Sequence, residues 1–457
     1  MNQVNTPLKE AVVAKLRRLP RYTSYPTALE FGELDDKTYD LWLHELPAGE
    51  AVSLYFHIPY CEKLCWFCGC FMSVSNKYGP VETFLDVLIS EVRQMAEKTG
   101  RLNVSHIHFG GGSPSILKPD DFKKLIDVVK DCFDISLAEE FAVEIDPRTV
   151  DRDKIMSYAK AGVNRASLGI QDFNLKTQEA INRIQSIELI EDNMRNFKDA
   201  GIEKINFDLI YGLPYQTLET IEDTIQKTLE FKPSRIALFG YAHVPHMKKH
   251  QQLIANHSLP NQKERQAQFE LASKILQENG YKSIGLDHFA LGDDPLFETF
   301  DQGNLRRNFQ GYTKDKSDTL IGFGPSAISS MPNGYAQNVA SIKQYLDKIN
   351  LDTSPVVRGL KISREDKMFR EIISTLMCYF EVDPLQISKT HQFEYDFKNE
   401  ILSLNKLIDA GYMEMNGEAF KITEVGRPFL RAIATIFDQY FDQSSDIIDR
   451  CIHESEG

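Results

Sequence analysis

Between Val52 and Gly240 the chain alternates short apolar runs with longer helical patterns, and this alternation leaves few folds open to it. The runs are Val52–His57, Val104–Phe109, Phe141–Ile145, Arg165–Ile170, Lys204–Ile210 and Arg235–Gly240. Apolar runs this short, bounded by turn residues, read as buried strands. Helical periodicity lies between them at Val81–Ala96, Asp120–Asp131, Asp153–Ala161, Leu189–Ala200 and Thr217–Glu230. Such alternation predicts an α/β fold, a parallel sheet with outer helices. Right-handed crossovers repeated in sequence curl that sheet into a partial barrel.

In barrels of this kind, function collects on the loops after the strand C-termini. The chain's notable polar residues fall there. A cysteine loop follows the first strand, and Gly110-Gly-Gly-Ser-Pro114 follows the second. Glu144 and Asp146 end the third, Gln171 and Asp172 follow the fourth, Asp208 lies near the end of the fifth, and Tyr241-Ala-His243 follows the sixth. One site at one end of the sheet accounts for all six placements.

The cysteine loop reads Cys61-Glu-Lys-Leu-Cys65-Trp-Phe-Cys68-Gly-Cys70. Three thiols at C-x3-C-x2-C can hold three corners of a 4Fe-4S (four-iron, four-sulfur) cluster and leave one iron open to a ligand. Structural zinc sites usually pair such a unit with a second cysteine pair or with an H-x3-5-H unit; no second cysteine pair exists here, since Cys132, Cys378 and Cys451 are isolated. Cys70 stays unassigned: an electron-transfer cluster would use it as fourth ligand. The glycine triplet lets a ligand approach the backbone closely, and no G-K-[ST] follows it to make a phosphate loop.

The loop, with Tyr55-Phe-His-Ile-Pro-Tyr-Cys61 leading into it, resembles the signature of the radical S-adenosylmethionine (SAM) enzymes. With Arg21-Tyr-Thr-Ser-Tyr-Pro-Thr27 and the Cys68-Gly-Cys70 ending, the chain is similar to one family among them, the oxygen-independent coproporphyrinogen III oxidases (dehydrogenases) of haem biosynthesis. The resemblance runs from about Arg21 to the last helices. It implies a partial (β/α)6 radical SAM barrel, open on one side. It implies Cys61, Cys65 and Cys68 as cluster ligands, with Cys70 outside the ligand set. The open iron would bind SAM, and one electron would cleave it to methionine and a 5′-deoxyadenosyl radical.

The family holds two SAM molecules. Tyr55, Gly111 and Glu144 match its first SAM site; Phe67, Gly112, Ser113, Gln171, Arg183, Asp208, Ala242 and Ile328 match its second. The implied activity is oxidative decarboxylation of two propionates of coproporphyrinogen III to vinyl groups, giving protoporphyrinogen IX. It needs a low-potential electron donor such as flavodoxin or ferredoxin. Arg306 and Arg307 suit propionate carboxylates, or form a solvated pair. His57 is either a core histidine or a proton donor. The chain departs from the family at Phe71, at Ile184 and in the basic segment His246-Met-Lys-Lys-His250. A haem chaperone of the same superfamily and a plain iron–sulfur electron carrier are the alternatives. The first lacks the Arg21–Thr27 text, and the second leaves Gly110–Gly112, Glu144 and Asp208 unexplained.

A chain of 457 residues with 42% hydrophobic content has room for two or three structural units. We expect an N-terminal arm (1–48), the barrel with a sheet extension (49–350) and a mostly helical, winged-helix-like C-terminal domain (351–457). Asp352-Thr-Ser-Pro355 marks the last boundary. In the extension, Lys263–Glu278 reads as a helix, and Ser283–Phe289 and Leu320–Ser329 as single strands. Beyond the boundary, Arg364–Phe380, Tyr395–Ala410 and Glu424–Phe437 read as helices, and Tyr412–Met415 with Ala419–Ile422 as a hairpin. The first twenty residues pattern as an amphipathic helix, not as a signal peptide. The net charge of −14 argues against nucleic-acid or membrane-surface binding, and no apolar run is long enough to span a bilayer. We expect a cytoplasmic monomer.

Overall fold

The computed structural model describes residues 19–441. The amphipathic pattern of the first twenty residues falls almost wholly outside them.

All six expected strands form, the sixth with the expected bounds and the others one or two residues longer than the apolar run. They are β1 (Val52–Ile58), β2 (Val104–Gly111), β3 (Glu140–Ile145), β4 (Arg165–Gln171), β5 (Lys204–Tyr211) and β6 (Arg235–Gly240). They pair in parallel in sequence order. The crossovers are α1 (Gly79–Thr99), α2 (Pro119–Cys132), α3 (Arg152–Ala161), α4 (Ile187–Asp199) and α5 (Leu218–Phe231). Each helix end has a local cause. Asp151 caps α3 by accepting from Lys154 N–H, and Gly162 closes it at φ 109°. Thr217 and Thr220 form a reciprocal capping box on α5.

The strands are two-faced rather than apolar throughout. Phe56, Phe109, Phe141, Leu168, Phe207 and Leu238 point to the helices and join one buried core. Phe56 stacks between Phe109 and Phe323 at 4.5 and 4.9 Å between centroids. The alternate residues form a polar inner column: Ser53, Tyr55 and His57 on β1, His106 and His108 on β2, Glu140 and Glu144 on β3, Arg165 and Ser167 on β4, Asn206 and Asp208 on β5.

In the extension α6 (Gln262–Glu278) forms, but the two single strands do not. Ser283–Phe289 folds as a hairpin, β7 (Lys282–Ile284) and β8 (His288–Ala290), because Gly285 turns the chain at φ 56°. Leu320–Ser329 is likewise two strands, β9 (Leu320–Phe323) and β10 (Ile328–Met331), broken at Gly324-Pro-Ser326, where Gly324 and Ser326 both have positive φ. β11 (Gly334–Asn338) and β12 (Val356–Lys361) follow. The sheet runs in the order Gly32–Glu33, β12, β11, β10, β9, β1, β2, β3, β4, β5, β6, β8, β7. That order is linear, so the sheet stays open.

β12 lies beyond Asp352–Pro355 yet belongs to the sheet. A second core begins with α7 (Arg364–Tyr379), opened by a Ser363/Asp366 capping box. α8 covers Lys398–Asp409, and Met413–Asn416 pairs with Ala419–Ile422. The expected helix Glu424–Phe437 shrinks to Leu430–Ala434 between two 3-10 turns. Pro428 lacks an N–H, and Gly426 packs against the Tyr412 carbonyl. The N-terminal arm serves both cores. Leu19, Tyr22 and Tyr25 pack with α7, while Tyr39 and Trp42 join the sheet core.

Candidate active site at the mouth of the sheet

The glycine triplet at the end of β2 is dictated by what crowds it. A Cβ on Gly110 would lie 2.8 Å from a Glu144 carboxylate oxygen, one on Gly111 2.6 Å from the His57 ring, and one on Gly112 2.6 Å from the Tyr60 carbonyl. Gly111 also has φ 106°, which a side chain would strain. Gly112 N–H donates to Ile58 O and Ser113 N–H to Tyr60 O, both at 2.8 Å. The triplet therefore welds the end of β2 to the start of the cysteine loop.

That loop is anchored on both flanks. Trp66 and Phe67 pack on Ile181, Leu213, Tyr241 and Ile254. Trp66 N–H donates to Ile181 O, and Asn182 Nδ2 donates to Leu64 O at 2.7 Å. From the other side Gln251 Nε2 donates to Phe67 O at 2.9 Å and to Ala242 O at 3.2 Å, tying Phe67 to Ala242. Lys248 Nζ donates to Cys70 O, and His250 Nε2 lies 2.7 Å from Cys68 O.

The thiols are not equivalent. Cys65 is buried, Cys61 and Cys68 are half-buried, and Cys70 is exposed. Burial, followed by the Cys68 and Cys65 sulfurs, pushes the Cys61 thiol up to about 12. Cys68 is drawn down to about 6. The Cys70 thiol donates to it and outweighs its burial, helped by the Cys70 N–H, His250 and Lys248. The Cys70 N–H reaches the Cys68 sulfur at 3.4 Å, so Cys70 acts as a donor to Cys68.

Two guanidiniums converge on Cys65. Arg148 Nη2 lies 3.2 Å and Arg183 Nη1 3.3 Å from its sulfur. Both also hold Asp146, at 2.7 and 3.2 Å. Burial raises the Asp146 carboxyl, but Arg183 and then Arg148 outweigh it and hold it at about 2. Two cations share one carboxylate here, and the surplus positive charge faces a sulfur. This donor set fits a thiolate ligand rather than a resting thiol. Among the described residues no three Cys, His, Asp or Glu side chains converge on a single metal ion. A cluster needs no such convergence, since each thiolate binds its own iron.

Glu144 stands at the end of β3 with 43% of its side chain exposed. It accepts from His108 Nε2 at 3.1 Å and from Gly111 N–H at 3.3 Å. Burial pushes its carboxyl up; the His108 contact and the Gly111 N–H outweigh that and keep it ionised. Tyr55 stacks on His108, and its hydroxyl lies 3.1 Å from His57 Nδ1. His57 Nε2 reaches Phe71 O at 2.9 Å, and burial lowers its pKa. Asp208 accepts from Ser167 Oγ at 2.9 Å and Asn206 Nδ2 at 2.8 Å. Burial and then Glu144 raise it to about 6.

The structure brings most of the expected residues together. Tyr55, Gly111 and Glu144 meet through His108 and His57. Arg183 is only 6% exposed and donates to Gly169 O. Gln171 is buried in the left-handed region at φ 67°, where β4 slips register against β5. The Ser113 hydroxyl is 2.7 Å from Ser115 Oγ in a buried chain of hydroxyls. Ile328 stands apart, on β10 across β9 from β1. Asp172 turns inward as a buried node under Gln216 and Thr224. Arg307 donates to Tyr22 O and lies over the Tyr312 ring, while Arg306 pairs with Asp318. Arg148, His108, Ser167 and Asn206 were missed. The last three were readable from strand alternation, since His108 and Asn206 lie two residues from Gly110 and Asp208 and Ser167 lies four from Gln171.

An open parallel sheet with a three-thiol loop after its first strand, and glycine and carboxylate ligand groups after the next two, defines a radical SAM protein. The radical SAM superfamily model matches residues 55–228. The oxygen-independent coproporphyrinogen III oxidase of Bradyrhizobium diazoefficiens is 42% identical over 438 residues, covering 95% of this chain and 97% of that protein. The Paracoccus denitrificans enzyme of that name is 38% identical, covering 93% and 94%. The Salmonella typhimurium one is 36% identical with the same coverage. The crystal structure of coproporphyrinogen III oxidase from Escherichia coli, a radical SAM enzyme, superposes with a TM-score of 0.89 at 33% identity, over 95% of this chain and all of that one. The chain belongs to the family of oxygen-independent coproporphyrinogen III oxidases.

Proposed function

We propose that the chain oxidises coproporphyrinogen III without oxygen, converting two propionates to vinyl groups and yielding protoporphyrinogen IX for haem (porphyrin) biosynthesis. The observation that carries this reading is Cys65 held between Arg148 and Arg183 at the mouth of the sheet, beside Gly111 and Glu144. When bound, a 4Fe-4S cluster and SAM supply a 5′-deoxyadenosyl radical that takes a hydrogen atom from a propionate β-carbon, after which carbon dioxide and one electron leave.

The chain's own residues hold and orient. Cys61, Cys65 and Cys68 bind three irons. Tyr55, Gly111 and Glu144 take the first SAM, with ionised Glu144 accepting from ribose hydroxyls. Phe67, Gly112, Ser113, Gln171, Arg183, Asp208, Ala242 and Ile328 take a second SAM. Arg183 offers charge to its carboxylate, and Asp208 offers an acceptor to its ammonium group. His57, with its pKa lowered, stays neutral near pH 7 and so adds no cation beside the first SAM. The inner column supplies polar walls for the tetrapyrrole. A low-potential flavodoxin or ferredoxin supplies electrons to a cytoplasmic monomer that takes no nucleic acid. Among the described residues no helix is long and apolar enough to cross a membrane.

The test is an anaerobic reaction of reconstituted protein with dithionite, SAM and coproporphyrinogen III, with products identified by mass. Two successive losses of formic-acid mass, each matched by 5′-deoxyadenosine, are expected. SAM cleavage without decarboxylation would overturn the substrate assignment.

A further inference from the structure

The rim around the cysteine loop differs from the rest of this acidic chain. Net charge is −14, yet His246, Lys248, Lys249 and His250 crowd one turn beside the loop. Lys248 and His250 contact the carbonyls of Cys70 and Cys68 directly. Three large apolar side chains stand out from the same rim: Met247 is 72% exposed, Leu253 58% and Ile184 60%. Ile184 flanks the loop on the opposite side, two residues after Asn182, which bonds Leu64 O. Ile184 and the basic segment therefore lie on either side of the loop. Lys248 and His250 anchor the loop, whereas Ile184, Met247 and Lys249 have no role in the site described above.

From this we infer that the Ile184–Met247–Leu253 rim, with Lys248 and Lys249, is the docking face for a small acidic protein bearing a one-electron centre at its surface. The inference rests on the proposed need for an external electron. Charge complementarity carries it: an acidic partner is repelled by the chain as a whole and attracted at this rim, so attraction also orients it. The apolar side chains supply desolvated contact within a basic ring, the usual anatomy of an interface. Docking here sets the partner's centre against the strand of backbone that carries Cys68 and Cys70. One electron leaves the partner's reduced centre and one enters the cluster. No proton or bond moves.

The test uses the cluster-loaded protein and flavodoxin as the probe. Binding is measured by calorimetry at about 20 and about 200 mM salt, a range that shortens the screening length severalfold. Reduction by flavodoxin hydroquinone is followed anaerobically through bleaching of the cluster absorbance. We expect wild-type binding to weaken with salt. The double variant Met247→Glu/Lys249→Glu should bind and accept electrons at least about tenfold more weakly, while dithionite bleaches both proteins alike. If that variant loses its cluster, Lys249→Gln carries the test, with a smaller loss in the same direction. Binding that ignores both salt and substitution would overturn the inference. Failure of dithionite-driven decarboxylation in the wild type would instead overturn the proposed function, and the binding arm would still decide the docking face.

Discussion

Two buried clusters of arginine and carboxylate sit at opposite ends of the six parallel strands, and they close differently. At the floor, Arg165 binds Glu140 at 3.0 Å and Asp294 at 3.3 Å, and Arg235 binds Asp294 at 2.7 Å. Two cations meet two carboxylates there. Burial raises Glu140, but Arg165 and Arg235 outweigh it and hold it at about 2. At the mouth, Arg148 and Arg183 meet only Asp146, and the surplus charge is turned towards Cys65. The floor balances its charge within the protein. The mouth is balanced only with something anionic at the cysteine loop. The same residue types build the fold at one end and leave it open to chemistry at the other.

The largest effect should come from the floor. Arg165→Gln takes from Glu140 its one close cation, leaving Arg235 at 3.9 Å. Breaking a buried pair typically costs about 3–5 kcal/mol, so this variant should melt well below wild type. Arg183→Gln should melt close to wild type, because Asp146 keeps four hydrogen bonds from Arg148. Its SAM stoichiometry and propionate decarboxylation should fall instead. Equal melting of the two variants would make the mouth cluster a structural device.

Glu144→Gln should act more gently. Its cluster should assemble normally, while SAM affinity drops by the about 1.5–3 kcal/mol of a charged hydrogen bond, roughly ten- to 150-fold. An unchanged affinity by calorimetry would remove Glu144 from the first SAM site.

The smallest effect is on pH. Asp208 is raised to about 6 in the folded protein, so the fold favours its protonated form. Its favourable contribution is present at low pH and is lost as pH rises from the unfolded value of about 4 through about 6. Asp208→Asn has no such loss. Its melting temperature relative to wild type should therefore rise between about pH 5 and about pH 7.5. A difference that is flat with pH would mean that Asp208 is not held in an anion-hostile setting.

The strand–helix alternation made the sheet legible because buried parallel strands need apolar residues on the helix side. The mouth was legible because glycine triplets, cysteine loops and strand-end carboxylates occupy fixed places after strands. The hairpins at Gly285 and Gly324 were hidden because each turn is short and apolar residues adjoin it, Ile284 and Leu286 at the first and Phe323 and Ala327 at the second, although each glycine marked the break. The short last helix was marked in the same way by Gly426 and Pro428. Arg148 was not legible. It reaches Cys65 only because Asp146 caps the turn that carries it, a contact between distant segments that has no spacing in the sequence.

The central claim is that three thiols hold the cluster and leave an iron open, with Cys70 only donating a hydrogen bond to Cys68. It is tested most directly by iron and sulfide analysis, with spectra taken before and after adding SAM, on Cys65→Ser and Cys70→Ser. The account predicts that Cys70→Ser retains about four irons and four sulfides per chain and that its spectrum changes when SAM is added, while Cys65→Ser retains neither cluster nor response. Loss of the cluster from Cys70→Ser as complete as from Cys65→Ser would contradict it and point to a four-cysteine electron carrier.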